Sequence, residues 1–178
     1  TDNAEAQIIV SPKYQAKVFT STAQGNTGRS FGWVNYKAFT GPTDAHMNAY
    51  GGENRFWLGP EGGKFSLFFA PGTKMDFAHW KTPADFDTAS WQVQKADASS
   101  VTLTKPMELL NYAGTRLSLS GDRTIRILST KEMAKETGLN IKNEFADVKA
   151  VGYTTENKLT NTGQTAWDAT TGMPCIWI

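Results

Sequence analysis

The chain contains few of the residues from which disulfides and metal sites are built. Its 178 residues include one cysteine, Cys175, and two histidines, His46 and His79. A single cysteine excludes an internal disulfide framework and a cysteine-based zinc site, and the two histidines lie too far apart in sequence for a local metal motif. We therefore expect neither a metal ion nor any other cofactor.

An excess of charge of one sign is also absent. Eighteen basic and seventeen acidic side chains leave a net charge of +1, so the composition indicates neither a nucleic-acid groove nor an anionic membrane surface. No apolar run approaches the roughly 18 residues of a membrane span. We expect a globular protein with no nucleic-acid partner and no membrane span.

The motifs of several large enzyme classes are missing as well. The sequence has no Walker loop, no dinucleotide-binding glycine fingerprint, no nucleophile elbow and no metal-ligating pair of histidines. Phosphoryl transfer, NAD chemistry and metallohydrolysis therefore have no motif support. No internal repeat, low-complexity segment or linker divides the chain, so residues 1–178 are predicted to form one domain.

Strand patterning is the main feature that is present. Residues 91–94, 100–104 and 115–120 alternate apolar with polar side chains, which is typical of half-buried antiparallel strands. Residues 121–123, Gly-Asp-Arg, predict a tight turn that joins residues 117–119 and 124–128 in a hairpin. Further predicted strands are, in chain order, residues 7–11 paired with 16–21, 64–69, 148–160 and 165–168.

One helix interrupts the strands. Ser129 and Glu132 have the spacing of a capping box, and Gly138 lies where a glycine ends a helix of about two turns. Evenly spaced strands with this single helix predict an all-β fold, an antiparallel β-sandwich with one short helix.

The best candidate for a binding surface is the glycine-rich segment at residues 50–63. Glycine pairs frame a predicted short strand at residues 54–58, and glycine permits positive φ and a close approach of the backbone. Alternation along this strand places Glu53, Arg55 and Trp57 on one side. A carboxylate, a guanidinium and an indole together are typical of a sugar site. The alternative is a structural pair of Glu53 and Arg55 beside a tryptophan of the core.

A second candidate region is the aromatic and acidic loop at residues 75–91. Its adjacent His79 and Trp80 combine a titratable ring with a ring that can stack on a sugar. The alternative is a packed loop residue whose ring nitrogens bond to the backbone. The predicted sugar-binding residues of both regions are Glu53, Asn54, Arg55, Trp57, Glu61, His79 and Trp80.

Residues 50–63, together with Leu-Thr-Asn-Thr-Gly at residues 159–163, resemble the galactose mutarotase-like superfamily, whose best-known members are aldose 1-epimerases. The resemblance implies a β-supersandwich, of which this chain would form part or all, and a carbohydrate ligand contacted by Asn54 and Arg55. The epimerases use a histidine after the second motif as acid and a glutamate near the C-terminus as base, and this chain matches neither. We therefore expect the 178-residue chain alone to be inactive. A sugar-converting enzyme, a non-catalytic carbohydrate-binding module and a structural or interaction module remain open.

The two ends of the sequence carry further expectations. The apolar run at residues 173–178 is typical of a strand that is starting, which favours the N-terminal portion of a longer protein whose C-terminal half is a partner. The alternative is a short sandwich whose last strand, residues 174–178, is buried against Trp167. The polar start at residues 1–5 resembles a processed end, which favours a periplasmic or secreted location.

Overall fold

A computed structural model describes residues 5–139 and 147–178. Within these ranges the chain forms antiparallel β-sheets with few helical residues, as the strand patterning predicts. Residues 1–4, which contributed to the expectation of a processed end, lie outside the described residues. No helix within the described ranges has the length and apolar character to cross a membrane.

Eight strands form three antiparallel sheets in the described part of the chain. One sheet pairs β1 with β2, a second pairs β3 with β8, and the third has the order β4-β5-β6-β7. The strands are β1 (Gln7–Ser11), β2 (Lys17–Thr22), β3 (Trp57–Gly59), β4 (Gln92–Ala96), β5 (Ser100–Leu110), β6 (Arg116–Ile127), β7 (Tyr153–Asn161) and β8 (Cys175–Trp177). The helices are α1 (Ala84–Asp87), a single turn, and α2 (Thr130–Thr137).

Strand β6 corrects the predicted hairpin at residues 121–123. The chain does not turn there but continues as one strand, paired with β5 on one side and β7 on the other. Gly121 is needed for packing rather than for a turn, because a Cβ at this position would lie 3.0 Å from Met107 and 3.0 Å from Trp91. The hairpin that does form joins β5 to β6 through residues 111–115.

The core lies between the four-stranded sheet and the segments that cover it. Leucines at alternate positions of β5 and β6 face inward, opposite aromatic side chains from the segment around β3 and from residues 67–69. Burial of these apolar side chains, at about 1.5–3 kcal/mol each, is the main source of stability. The fully or nearly fully buried members include Phe56, Leu58, Phe86, Leu103, Met107, Leu117 and Leu119.

Helix α2 has both of the predicted ends. The side chain of Ser129 accepts a hydrogen bond from the backbone N–H of Glu132, and the Glu132 carboxylate accepts one from the Ser129 backbone N–H. Gly138 ends the helix in the left-handed conformation, with φ of 72°. The capping box and the C-terminal glycine are therefore confirmed.

Two predicted strands are wrong. Residues 64–69 are turns, because the Ser66 hydroxyl donates to the carbonyl oxygen of Glu61 and accepts from the Phe68 N–H, so four consecutive residues are buried without alternation. Residues 165–168 do not pair back on β7. The Asn161 side chain instead donates to the carbonyl oxygen of Thr165 and holds an irregular turn.

The C-terminal residues do form a strand, but its environment differs from the expected one. Strand β8 pairs with β3, with Trp177 opposite Trp57 and Cys175 opposite Gly59. Trp177 is 60 % exposed and Ile178 is 63 % exposed. Pro174 is buried and Ile176 is partly buried against the core, as Trp167 is, so the strand is partly buried and extends the glycine-rich segment into a small sheet.

Candidate functional site

The Gly51–Gly52 doublet brings three segments of the chain together. Both glycines have positive φ, 79° and 96°. A Cβ on Gly51 would lie 2.4 Å from the carbonyl oxygen of Trp33, and one on Gly52 would lie 2.5 Å from the Lys17 side chain. The Gly52 N–H donates to the Trp33 carbonyl oxygen at 2.6 Å. Only glycine allows this close approach, which places Lys17 and Trp33 beside Arg55.

These segments enclose a cavity of about 360 Å³, which we call the Lys17–Arg55 cavity. Three of the residues predicted from sequence line it. The full lining is Lys17, Trp33, Met47, Ala49, Gly51, Gly52, Glu53, Asn54, Arg55 and Ile178.

Lys17 reaches the cavity from a strained turn. Gln15 and Ala16 precede it with φ of 60° and 46°, values that non-glycine residues rarely adopt. The Gln15 side-chain amide anchors this turn by donating to Asp87 Oδ1 at 2.6 Å. Lys17 is 5 % exposed, and its ammonium donates to the Gly51 carbonyl oxygen. Burial, aided by the charge of Arg55, lowers the pKa of Lys17 to about 8.

Arg55 is half-buried and lies on an aromatic ring. Its guanidinium carbon is 3.7 Å from the centroid of Trp57, whose indole N–H donates to Glu61 Oε1 at 2.7 Å. Within the described ranges the guanidinium has no carboxylate within 4.0 Å, and Nη1 lies 3.6 Å from Met47 Sδ. Burial lowers the pKa of Arg55, which the charges of Asp87 and Glu61 partly oppose. Most of its N–H donors therefore remain available to a ligand.

Glu53 does not pair with Arg55, so the structural ion pair considered from the sequence is not formed. Its Oε1 accepts from the backbone N–H of Ser21 at 2.6 Å and from the Ser21 hydroxyl at 2.9 Å. Its Oε2 accepts from the Tyr153 hydroxyl at 3.1 Å. Burial and the neighbouring Glu53 raise the pKa of Tyr153 to about 12. Glu53 is thus a cavity wall whose two oxygens already have donors from the protein.

Asn54 connects the cavity to a buried guanidinium. Its side-chain oxygen accepts from Nη2 of Arg123, a residue with no exposed surface. Arg123 also donates to the carbonyl oxygen of Ala16 at 2.9 Å and to Asn157 Oδ1 at 2.7 Å. Burial lowers the pKa of Arg123 to about 10. A cation held by neutral partners therefore lies directly behind the cavity wall.

The exposed aromatic ring of the cavity is Trp33. It is 68 % exposed, whereas Trp57, the residue predicted to stack on a sugar, is 3 % exposed beneath Arg55. Trp57 and Glu61 therefore support Arg55 from behind and do not face the cavity. Trp33, Lys17 and Arg123 are the residues that the sequence reasoning missed.

His79 and Trp80 do not line the Lys17–Arg55 cavity. The His79 ring nitrogen Nδ1 lies 2.5 Å from Asp76 Oδ1 on a half-exposed turn, where it borders a separate cavity of about 570 Å³. Trp80 stacks on Phe68 with 5.0 Å between ring centroids. The structure thus brings together Glu53, Asn54 and Arg55, with Trp57 and Glu61 behind them, and separates the two loop residues from this group.

Comparisons with known proteins identify a family but no characterised relative. No curated protein and no solved structure matches the chain. No three His, Cys, Asp or Glu side chains cluster as metal ligands in residues 5–139 and 147–178. The chain matches the model of DUF6786, which is described as a family of unknown function, over residues 1–178. The chain therefore belongs to the DUF6786 family.

Proposed function

We propose that this protein binds a carbohydrate in the Lys17–Arg55 cavity. The observation that carries the proposal is the position of Arg55, whose planar guanidinium lies on Trp57 at 3.7 Å and has no carboxylate partner among the described residues. A guanidinium fixed in this way can donate two parallel hydrogen bonds to adjacent sugar oxygens, since it loses little rotamer freedom on binding.

The other walls of the cavity suit the same ligand. Trp33 offers an exposed ring face, on which the C–H face of a sugar can stack. The Gly51–Gly52 doublet lets Trp33 and Lys17 pack against its backbone, which brings both residues to the cavity. The resemblance to the galactose mutarotase-like superfamily favours the same class of ligand, and the relationship itself is part of the proposal.

We propose binding rather than catalysis for this chain. Mutarotation needs a proton donor and an acceptor on opposite sides of the anomeric centre, each worth roughly 10²- to 10⁴-fold in rate. No histidine lines the cavity, and both oxygens of Glu53 accept hydrogen bonds from Ser21 and Tyr153. A non-catalytic carbohydrate-binding module therefore agrees best with the geometry.

The test is a titration with monosaccharides, followed by tryptophan fluorescence and by calorimetry. Arg55→Ala should weaken binding at least about tenfold, the loss expected for charge-assisted hydrogen bonds. Arg116→Ala, which removes an exposed arginine of β6, is the matched control and should bind like the parent.

Circular dichroism decides between a binding role and a structural role for Arg55. We expect Arg55→Ala to keep the parent spectrum. If Arg55→Ala unfolds and no sugar binds to the parent, Arg55 has a structural role and the chain is a structural or interaction module.

Mutarotation provides a separate prediction. The 178-residue chain should leave the polarimetric decay of freshly dissolved α-glucose and α-galactose at the rate of buffer near neutral pH. A catalysed decay that disappears in His79→Ala would show that an enzyme is complete within these residues, with its acid in the loop outside the Lys17–Arg55 cavity.

A further inference from the structure

The Lys17–Arg55 cavity is surrounded by cations that have no ion-pair partner. Lys17 and Arg55 line it, and Arg123 lies one residue behind the wall, bound to Asn54. Five ion pairs within 4.0 Å occur among the described residues, and none of them includes these three cations. The near-neutral net charge of the whole chain does not reveal this local concentration of positive charge.

The carboxylates near the cavity are occupied by neutral donors. Glu53 accepts hydrogen bonds from Ser21 and Tyr153. Asp87, which is 3 % exposed, accepts from the side-chain amides of Gln15 at 2.6 Å and Asn48 at 2.8 Å, and from the Asn48 backbone N–H. Glu61, whose charge also acts on Arg55, accepts from the Trp57 indole N–H at 2.7 Å. Three cations therefore lie near three carboxylates that bond to neutral donors, and none of these cations lies within 4.0 Å of a carboxylate in the part of the chain that the structure describes.

Burial of unpaired cations is unfavourable, and it lowers the pKa of all three, Arg55 included. The pKa of Lys17 is lowered to about 8 and that of Arg123 to about 10, in both cases mainly by burial. A protein retains such charges where a ligand or partner compensates them. An anion in the cavity would give Lys17 and Arg55, which both line it, an ion-pair partner.

We propose that the sugar bound in the cavity carries an anionic group, a carboxylate or a phosphate, which lies between Lys17 and Arg55. This inference rests on the proposed function and narrows it to acidic sugars. Arg55 can bind two oxygens of such a group through its fork of donors, and Lys17, which lines the same cavity, adds a compact charge. The uncharged part of the ring would then lie against Trp33.

Calorimetry with matched ligand pairs tests the inference. The pairs are galactose with galacturonate and glucose with glucose 6-phosphate, at low ionic strength, with inorganic phosphate and acetate as anions that lack the sugar. We expect at least one acidic sugar to bind about tenfold or more tightly than its neutral partner and than either simple anion. The pair that shows the difference identifies the group as a carboxylate or a phosphate.

Variants of the two cations test whether Lys17 and Arg55 recognise the anionic group of the sugar. Lys17→Met removes the charge and keeps the length of the side chain, and it should reduce the preference for the acidic sugar over its neutral partner about tenfold. Lys131→Met, an exposed lysine of α2, is the control and should keep the preference. Arg55→Gln, checked by circular dichroism, provides a second test should Lys17→Met not fold.

The outcomes separate this inference from the proposed function. Equal or tighter binding of neutral sugars would overturn the anionic-sugar inference and leave carbohydrate binding intact. Binding of inorganic phosphate as tight as that of the sugar phosphate would overturn it also, because the sugar would then contribute nothing. If no sugar of either kind binds, both proposals fail.

Discussion

At the scale of single residues, the cavity depends on side chains that are distant in sequence and held by unusual backbone. Lys17 follows two residues with positive φ. Because Gly52 has no side chain, the methylene groups of Lys17 can occupy the space beside it. Strain of this kind costs on the order of 1–3 kcal/mol per residue and persists where the surrounding structure fixes it. Its position beside the cavity supports a binding role for Lys17.

Gly52→Ala tests this arrangement. The new Cβ would be placed at a φ of 96° and 2.5 Å from Lys17 Cδ, so we expect the free energy of unfolding to fall by about 1–3 kcal/mol. Gly62→Ala is the matched control, since no heavy atom lies within 4 Å of its Cβ position and its φ is not positive. Urea unfolding of both variants measures the difference, and an equal effect would show that Gly52 is not constrained.

The lowered pKa of Lys17 predicts a pH dependence of stability. Lys17 has a pKa of about 8 in the folded chain against 10.5 for the free side chain, so the unfolded state binds more protons between these values. The free energy of unfolding therefore increases as pH rises from about 8 to 10.5, because the cost of burying the charged Lys17 is lost over this range. Arg55 and Asp87 are the charged groups that act on Lys17.

The comparison of the parent with Lys17→Met isolates this contribution, because other groups such as Tyr153 titrate equally in both proteins. We expect the difference in unfolding free energy between parent and variant to shift in favour of the parent from pH 8 to pH 10. Below pH 8 the difference should be flat. A difference that stays constant to pH 10 would place the lysine pKa at its ordinary value.

At the scale of elements, sequence motifs predicted those elements whose stabilising contacts lie between residues close together in the sequence. The capping box of Ser129 and Glu132 and the glycine after the helix are all within ten residues, and they predicted α2 correctly. The alternation in β5 and β6 predicted strands, since each strand has one face on the core. The hairpin at Gly121 was wrong because the reason for that glycine is tertiary, namely the crowding of Met107 and Trp91 against it.

Gly121→Ala distinguishes the two explanations. In a solvent-exposed turn the added methyl group would meet no neighbouring side chain, and any loss would come from backbone strain alone, about 1 kcal/mol or less. In the core the added methyl group overpacks the site, so we expect a loss of about 1–3 kcal/mol by chemical unfolding. Ser120→Ala, on the opposite face of β6, is the control and should have the smaller effect.

At the scale of the whole molecule, the sequence predicted the fold class and part of the cavity. Period-two alternation predicted the antiparallel all-β fold because it reflects burial of one sheet face, as in β5 and β6. Glu53, Asn54 and Arg55 were found together because they are adjacent in sequence. Trp33 and Lys17 reach the cavity only through the Gly51–Gly52 contacts, which no sequence period records.

Arg123 is the one missed residue for which the sequence held a signal. It continues the inward-facing series of Leu117, Leu119 and Gly121 in β6, so an unbroken alternation would have placed a guanidinium in the interior. A buried arginine needs partners, and its partners Asn54 and Asn157 come from the glycine-rich segment and β7. Because residues 121–123 were predicted to form a turn, the alternation was not continued to Arg123, and its burial was not predicted.

The most direct test of carbohydrate binding in the Lys17–Arg55 cavity is a titration followed by the ¹H–¹⁵N signals of the six tryptophan indoles. With galacturonate and glucose 6-phosphate as ligands, we expect the Trp33 signal, assigned by its loss in Trp33→Phe, to move saturably. Trp80 and Trp167, which do not line the cavity, should stay in place. Movement of Trp80 with Trp33 unchanged, or no movement with any sugar, would contradict the account.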